Sequence, residues 1–83
     1  MNKLKISRIN ETLDSLQYLY ELSKSERHFI FNASKTNQEV VELLFFIGAT
    51  VGEPLTRELI QDLIDMSIGT YNRSSDFVLQ GVI

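Results

Sequence analysis

Apolar residues fall in two rhythms along this chain, and the change between them predicts its architecture. From Ile6 to Tyr20 they recur at steps of three and four: Ile6, Ile9, Leu13, Leu16 and Tyr20. That alternation marks one face of an amphipathic helix. Leu19 and Leu22 widen the stripe, while Arg8, Glu11, Asp14, Gln17 and Glu21 occupy the other faces, and no Gly or Pro interrupts the run. The row fits a helix facing its own core, and equally a coiled-coil seam facing another chain; about three heptads do not separate the two.

From Val40 to Ile47 the rhythm disappears. Val40, Val41, Leu43, Leu44, Phe45, Phe46 and Ile47 are apolar around every face, with Glu42 as the single polar residue. Thr36 and Glu39 fit a Thr-x-x-Glu capping box that starts a helix here, and Gly48 and Gly52 bracket its end. A helix apolar all round has to be surrounded by protein. A third helix is predicted from Pro54, with rows Leu55, Leu59, Leu63, Met66 and Ile60, Ile64, Ile68, and with Gly69 as its stop. Arg57, Glu58, Gln61, Asp62 and Asp65 fall on its solvent side.

Two segments read less simply. The first helix either continues through Phe31 or breaks at Ser23–Ser25, and Asn32, Ser34, Lys35 and Thr36 read as a connector. Residues 70–83 form a tail in which Ser74, Ser75 and Asp76 cap a short last helix or precede an extended end. Its Phe77, Val78, Leu79, Val82 and Ile83 are apolar, so the tail is expected to dock, on this domain or in a partner. The pattern therefore predicts an all-α fold: a single domain over residues 1–83 with three to four helices. A helical hairpin joins a long N-terminal amphipathic helix, within an oligomeric helical bundle.

Length sharpens that expectation. A chain of 83 residues buries only about 60–65% of the surface its unfolded form exposes, which leaves a thin margin of stability. There is no cysteine, and His28 is the single histidine, so neither disulfides nor a Cys or His metal cluster supplies the difference. Helix packing, or burial against another chain, remains. The net charge of −3 argues against binding nucleic acid by phosphate neutralisation. It also comes without the long acidic runs of a nucleic-acid mimic. The opening MNKLKISRIN lacks the unbroken apolar core of a secretory signal, so the expected compartment is the cytoplasm, and the sequons at Asn10, Asn32 and Asn72 carry no meaning there. The run from Val40 to Val51 contains Glu42 and falls short of the ~20 residues a bilayer requires.

Candidate chemistry is sparse. The four glycines are scattered, so no phosphate-cradling loop is formed. His28 has no second His, Asp or Ser at a telling spacing. Glu58, Asp62 and Asp65 share a helical face, but a cation held by carboxylates wants several oxygens in one compact site, and this face reads as solvated. The expectation is a protein that is not an enzyme and takes no cofactor or metal. A faint helix-turn-helix outline spans LLFFIGATVGEPLTRELIQDLI, yet its would-be recognition helix sets Glu58, Asp62 and Asp65 against Arg57 alone. The basic residues Lys3, Lys5 and Arg8 are the other place to touch a phosphate backbone.

Protein binding is what the apolar surplus favours. The expected oligomer or partner interface comprises Ile9, Leu13, Leu16, Tyr20, Val41, Phe45, Phe46, Phe77 and Leu79. The partners expected are a second copy, as dimer or tetramer, and a target protein. The function expected is a small regulator that inhibits or modulates another protein by stoichiometric contact, in the style of anti-repressors, inhibitors of host defence or signalling connectors. A DNA-associated transcriptional regulator is the alternative, and a structural subunit or co-chaperone of a larger assembly is another. From Asn37 to Ile68 the apolar positions resemble those of the small connector proteins of enteric bacteria that modulate two-component signalling and biofilm formation. The resemblance has no signature residue, and no residue role is carried over from it.

Overall fold

The computed structural model describes the backbone of residues 3–50 and 52–82, and the side chains of residues 3–50 and 52–70. Four helices follow one another: α1 (Lys3–Tyr20), α2 (Lys24–Thr36), α3 (Gln38–Ala49) and α4 (Leu55–Val82). No strand occurs among the described residues, so the chain is all-α as its apolar rhythms predict.

The long first helix breaks early. Glu21 takes a positive φ of 54°, the left-handed conformation that commonly follows a helix C-terminus. Ser23 then opens α2 with a capping box: its hydroxyl accepts the Glu26 N–H at 3.0 Å, and the Glu26 carboxylate accepts the Ser23 N–H at 2.8 Å. The predicted connector at Asn32, Ser34, Lys35 and Thr36 is instead the last turn and a half of α2. Ala33 and Ser34 are buried there, and the Ser34 hydroxyl donates to the Ile30 carbonyl at 2.7 Å.

Asn37 alone separates α2 from α3. Its backbone N–H donates to Ala33 O at 2.8 Å, closing α2, while its side-chain oxygen accepts the Glu39 N–H at 3.0 Å, opening α3. The cap is therefore Asn37, one residue after the predicted Thr36, and the expected Thr36–Glu39 box does not form. At the far end the Thr50 N–H bonds the Phe46 and Ile47 carbonyls. Gly48 lies inside α3 rather than beyond it.

Pro54 sits one residue ahead of α4, and its carbonyl accepts the Arg57 N–H at 3.0 Å. Thr56 secures this corner. Almost fully buried, its hydroxyl meets the Thr50 and Gly52 carbonyls and accepts the Gly52 N–H at 3.0 Å. Gly69 does not stop the helix: α4 runs 28 residues to Val82, about 42 Å at 1.5 Å per residue. A glycine inside a helix costs only about 1 kcal/mol relative to alanine, too little to end one.

The tail is thus helical in its backbone. The side chains of Phe77 and Leu79, and with them the question of where the tail docks, lie outside the described residues.

α2 and α3 pack on each other, and α1 and α4 each pack on both of them. Lys5 Nζ donates to Gln38 Oε1 at 3.2 Å, and Thr12 lies against Gly48, so α1 and α3 run parallel. Arg27 ties the α1–α2 hairpin. Its guanidinium donates to Asp14 at 2.5 Å, to Gln17 at 2.8 Å and to the Asn10 carbonyl at 3.5 Å. α3 and α4 form the second hairpin, joined by the Thr56 corner at one end and by Asn37 Nδ2 donating to Thr70 Oγ1 at 3.1 Å at the other.

The core draws on all four helices: Ile9, Leu13 and Leu16 from α1, Ile30 from α2, Val40, Val41, Leu44 and Ile47 from α3, and Ile60, Leu63 and Ile64 from α4. Among the described residues no buried side-chain polar atom lacks a hydrogen bond.

Candidate functional site

The fold divides the expected interface residues into two groups. Ile9, Leu13, Leu16 and Val41 are at most 2% exposed. They are spent inside the chain, where α1 packs on α2 and α3, and have no area left to offer a partner. The seam reading of α1 is therefore replaced by an intramolecular one: its 3–4 row faces its own core. Tyr20 and Phe45 are partly buried against the same core. Phe46 is the exception, at 53% exposed.

Phe45 and Phe46 diverge because neighbouring residues on a helix point about 100° apart. Phe45 lies on the α1 flank of α3, where the Arg8 guanidinium sits 4.1 Å from its ring centroid, a cation–π contact that covers an otherwise apolar side chain. Phe46 points away from α1. Helical spacing places it with Leu43 on the flank of α3 that borders α4. On the facing flank of α4 the same spacing aligns Leu55, Leu59 and Met66. Leu55 is 57% exposed, and Leu43, Leu59 and Met66 are half-buried. By helical spacing these five residues align as an apolar strip along the α3–α4 hairpin.

Carboxylates rim the strip. Glu39 and Glu42 stand one turn before Leu43 and Phe46 on α3, and Glu58, Asp62 and Asp65 interleave the apolar row on α4, all exposed. Glu39, Asp65 and Met66 line one open depression with Asn37, Gly69 and Thr70. Among the described residues the ion pairs are Arg27–Asp14 and Arg57–Glu53, so none of these five carboxylates has a cation beside it. Asp65 accepts a hydrogen bond from the Gln61 amide at 3.0 Å.

The helix-turn-helix outline resolves differently. α3 and α4 lie side by side from the Thr56 corner to the Asn37–Thr70 contact, rather than crossing at the ~90–120° of that motif. Four of the basic residues are engaged with their own chain: Lys5 with Gln38, Arg8 over Phe45, Arg27 with Asp14 and Gln17, and Lys35 4.5 Å over the Phe31 ring.

His28 is exposed on α2, and its Nε2 accepts from the Asn32 amide at 2.9 Å. No group of three His, Cys, Asp or Glu able to hold a metal ion occurs among the described residues, and no described helix is long and apolar enough to cross a membrane.

Sequence reasoning missed Leu43, Leu55, Leu59 and Met66 as surface, since apolar residues in rows read as core. The available signal was the interleaving of Glu58, Asp62 and Asp65 with that row. A scan against protein-family models and searches of curated proteins and of solved structures find no match to this chain.

Proposed function

We propose that this chain is a small non-enzymatic regulator that acts by stoichiometric contact with a target protein through the α3–α4 strip. The observation that carries the reading is the exposure of Phe46 and Leu55, at 53% and 57%, beside half-buried Leu43, Leu59 and Met66. The core closes without these two side chains, and an exposed cluster of large apolar groups edged by polar ones is the anatomy of a protein interface. Aromatic anchors such as Phe46 are enriched in such surfaces.

Two further features support contact over chemistry. The acidic rim disfavours a nucleic-acid backbone, and the single histidine has an amide as its hydrogen-bond partner.

The test is site-specific photo-crosslinking in the producing cell, with Phe46→p-benzoylphenylalanine and, as a control, Ser7→p-benzoylphenylalanine on the exposed face of α1. The reading expects one discrete protein adduct at position 46 and none at position 7. Adducts of equal yield at both positions, or none at 46, overturn it.

A further inference from the structure

The occupant of the strip can be specified by chemistry. We infer that the α3–α4 strip receives a cationic amphipathic helix of the target protein; this rests on the contact reading above and names the partner's class. Two helices lying side by side present their flanks as a shallow groove, the arrangement that takes an apolar row at i, i+3/4 and i+7 from an incoming helix. From Leu55 to Met66 the row spans about 17 Å, or about three turns, matching a segment of that length.

Charge decides what flanks the incoming row. Residues 1–37 hold six basic side chains (Lys3, Lys5, Arg8, Lys24, Arg27, Lys35) and four acidic ones, net +2. Residues 38–83 hold seven acidic side chains and two basic, net −5. The strip lies wholly in the acidic half, and the five carboxylates of its rim are unpaired among the described residues. Lys or Arg on both sides of an apolar row would meet them, raising the association rate and excluding acidic competitors.

A second copy fits poorly. Two strips related by a two-fold axis would bring the five rim carboxylates of one copy against those of the other. Nor does α1 offer a matching helix. The outward row of α1 reads Leu4, Glu11, Ser15, Tyr18, and the nearby cations Lys5 and Arg8 already engage Gln38 and Phe45.

The experiment titrates the full chain into two fluorescein-labelled helical peptides of about 14 residues, about four turns. Both carry one Leu row, flanked by Lys in one peptide and by Glu in the other. The expected result is one-to-one binding of the Lys peptide at least about tenfold tighter than the Glu peptide at low salt, the gap closing toward ~1 M salt where the screening length is about 3 Å. Asp62→Lys with Glu39→Lys should narrow the preference by about tenfold, and Phe46→Ser should weaken both peptides, each variant retaining its helical circular dichroism.

Equal, salt-indifferent binding of both peptides overturns the cationic partner while leaving a contact surface. Binding of neither, with sedimentation showing an assembly that Phe46→Asp dissolves, makes a second copy the occupant and overturns the inference alone. Binding of neither by a chain that sediments as a monomer overturns both the inference and the contact reading.

Discussion

Gly48→Ala tests a close approach of α1 to α3, and its sign turns on one methyl group. A Cβ built on Gly48 lies 2.8 Å from Thr12 Cγ2, about 1 Å inside the usual carbon–carbon contact of 3.5–4.0 Å. Thr12 is not free to turn at no cost, because its hydroxyl donates to the Arg8 carbonyl at 2.9 Å. Alanine in place of glycine gains about 0.5–1 kcal/mol of helix propensity, while overpacking costs about 1–3 kcal/mol. The overlap should win, leaving Gly48→Ala less stable by about 0.5–2 kcal/mol.

Thr12→Ser removes the offending methyl and keeps the hydroxyl. In that background Gly48→Ala should stabilise by about 0.5–1 kcal/mol, a coupling of about 1–3 kcal/mol between the two sites. Urea unfolding of the four proteins measures the cycle, with m-values expected to agree; at this size each kcal/mol moves the thermal midpoint by about 4–8 °C. If Gly48→Ala stabilises equally with Thr or Ser at position 12, the parallel packing of α1 on α3 is refuted.

Three other predictions follow from single residues. Asn37→Ala removes the α3 cap and the bond to Thr70, and should cost about 1–2 kcal/mol by urea unfolding, whereas Asn37→Asp, which keeps the capping oxygen, should cost less. Glu21→Gly relieves a side chain held at positive φ and should stabilise by about 0.5–1 kcal/mol; a loss of stability would place that residue in another conformation. Phe46→Asp should leave helical circular dichroism intact and shift stability by no more than about 1 kcal/mol, while Leu44→Ala, two residues earlier on the buried face of α3, should cost about 2–5 kcal/mol.

Much of the fold was legible because apolar spacing reports which residues a helix buries. Ile9, Leu13 and Leu16 of the 3–4 row of α1 enter the core as their period places them, and so do Ile60, Leu63 and Ile64 of the double row of α4, whose Leu55 stays exposed. The ends were harder to read. α1 terminates at a glutamate in a conformation usually given to glycine or asparagine, so nothing in the residue types flagged it. The Ser23–Glu26 capping box was the readable signal there. Gly69 illustrates the opposite error, since a glycine costs a helix only about 1 kcal/mol and α4 continues through it.

The site was legible only in part. An all-apolar segment such as Val40–Ile47 announces burial, but not which flank stays open. That depends on α1 reaching one flank of α3, where Arg8 caps Phe45, and on α4 leaving the other uncovered. Pairings of this kind join residues over 30 positions apart, and a helical period does not encode them. Charge segregation was present in the sequence all along. It acquires meaning only when α3 and α4 are seen to lie side by side and bring both acidic rows to one strip.

The central claim is that α3 splits its apolar surface between a core and a contact face. Backbone amide chemical-shift mapping of the isotope-labelled full chain during titration with the Lys-flanked peptide addresses it most directly. Perturbations are expected to cluster at Leu43, Phe46, Leu55, Leu59, Asp62 and Met66, with the amides of Ile9, Leu13 and Ile30 unmoved. Shifts concentrated on α1 and α2, or no shifts at saturating peptide, would contradict the account.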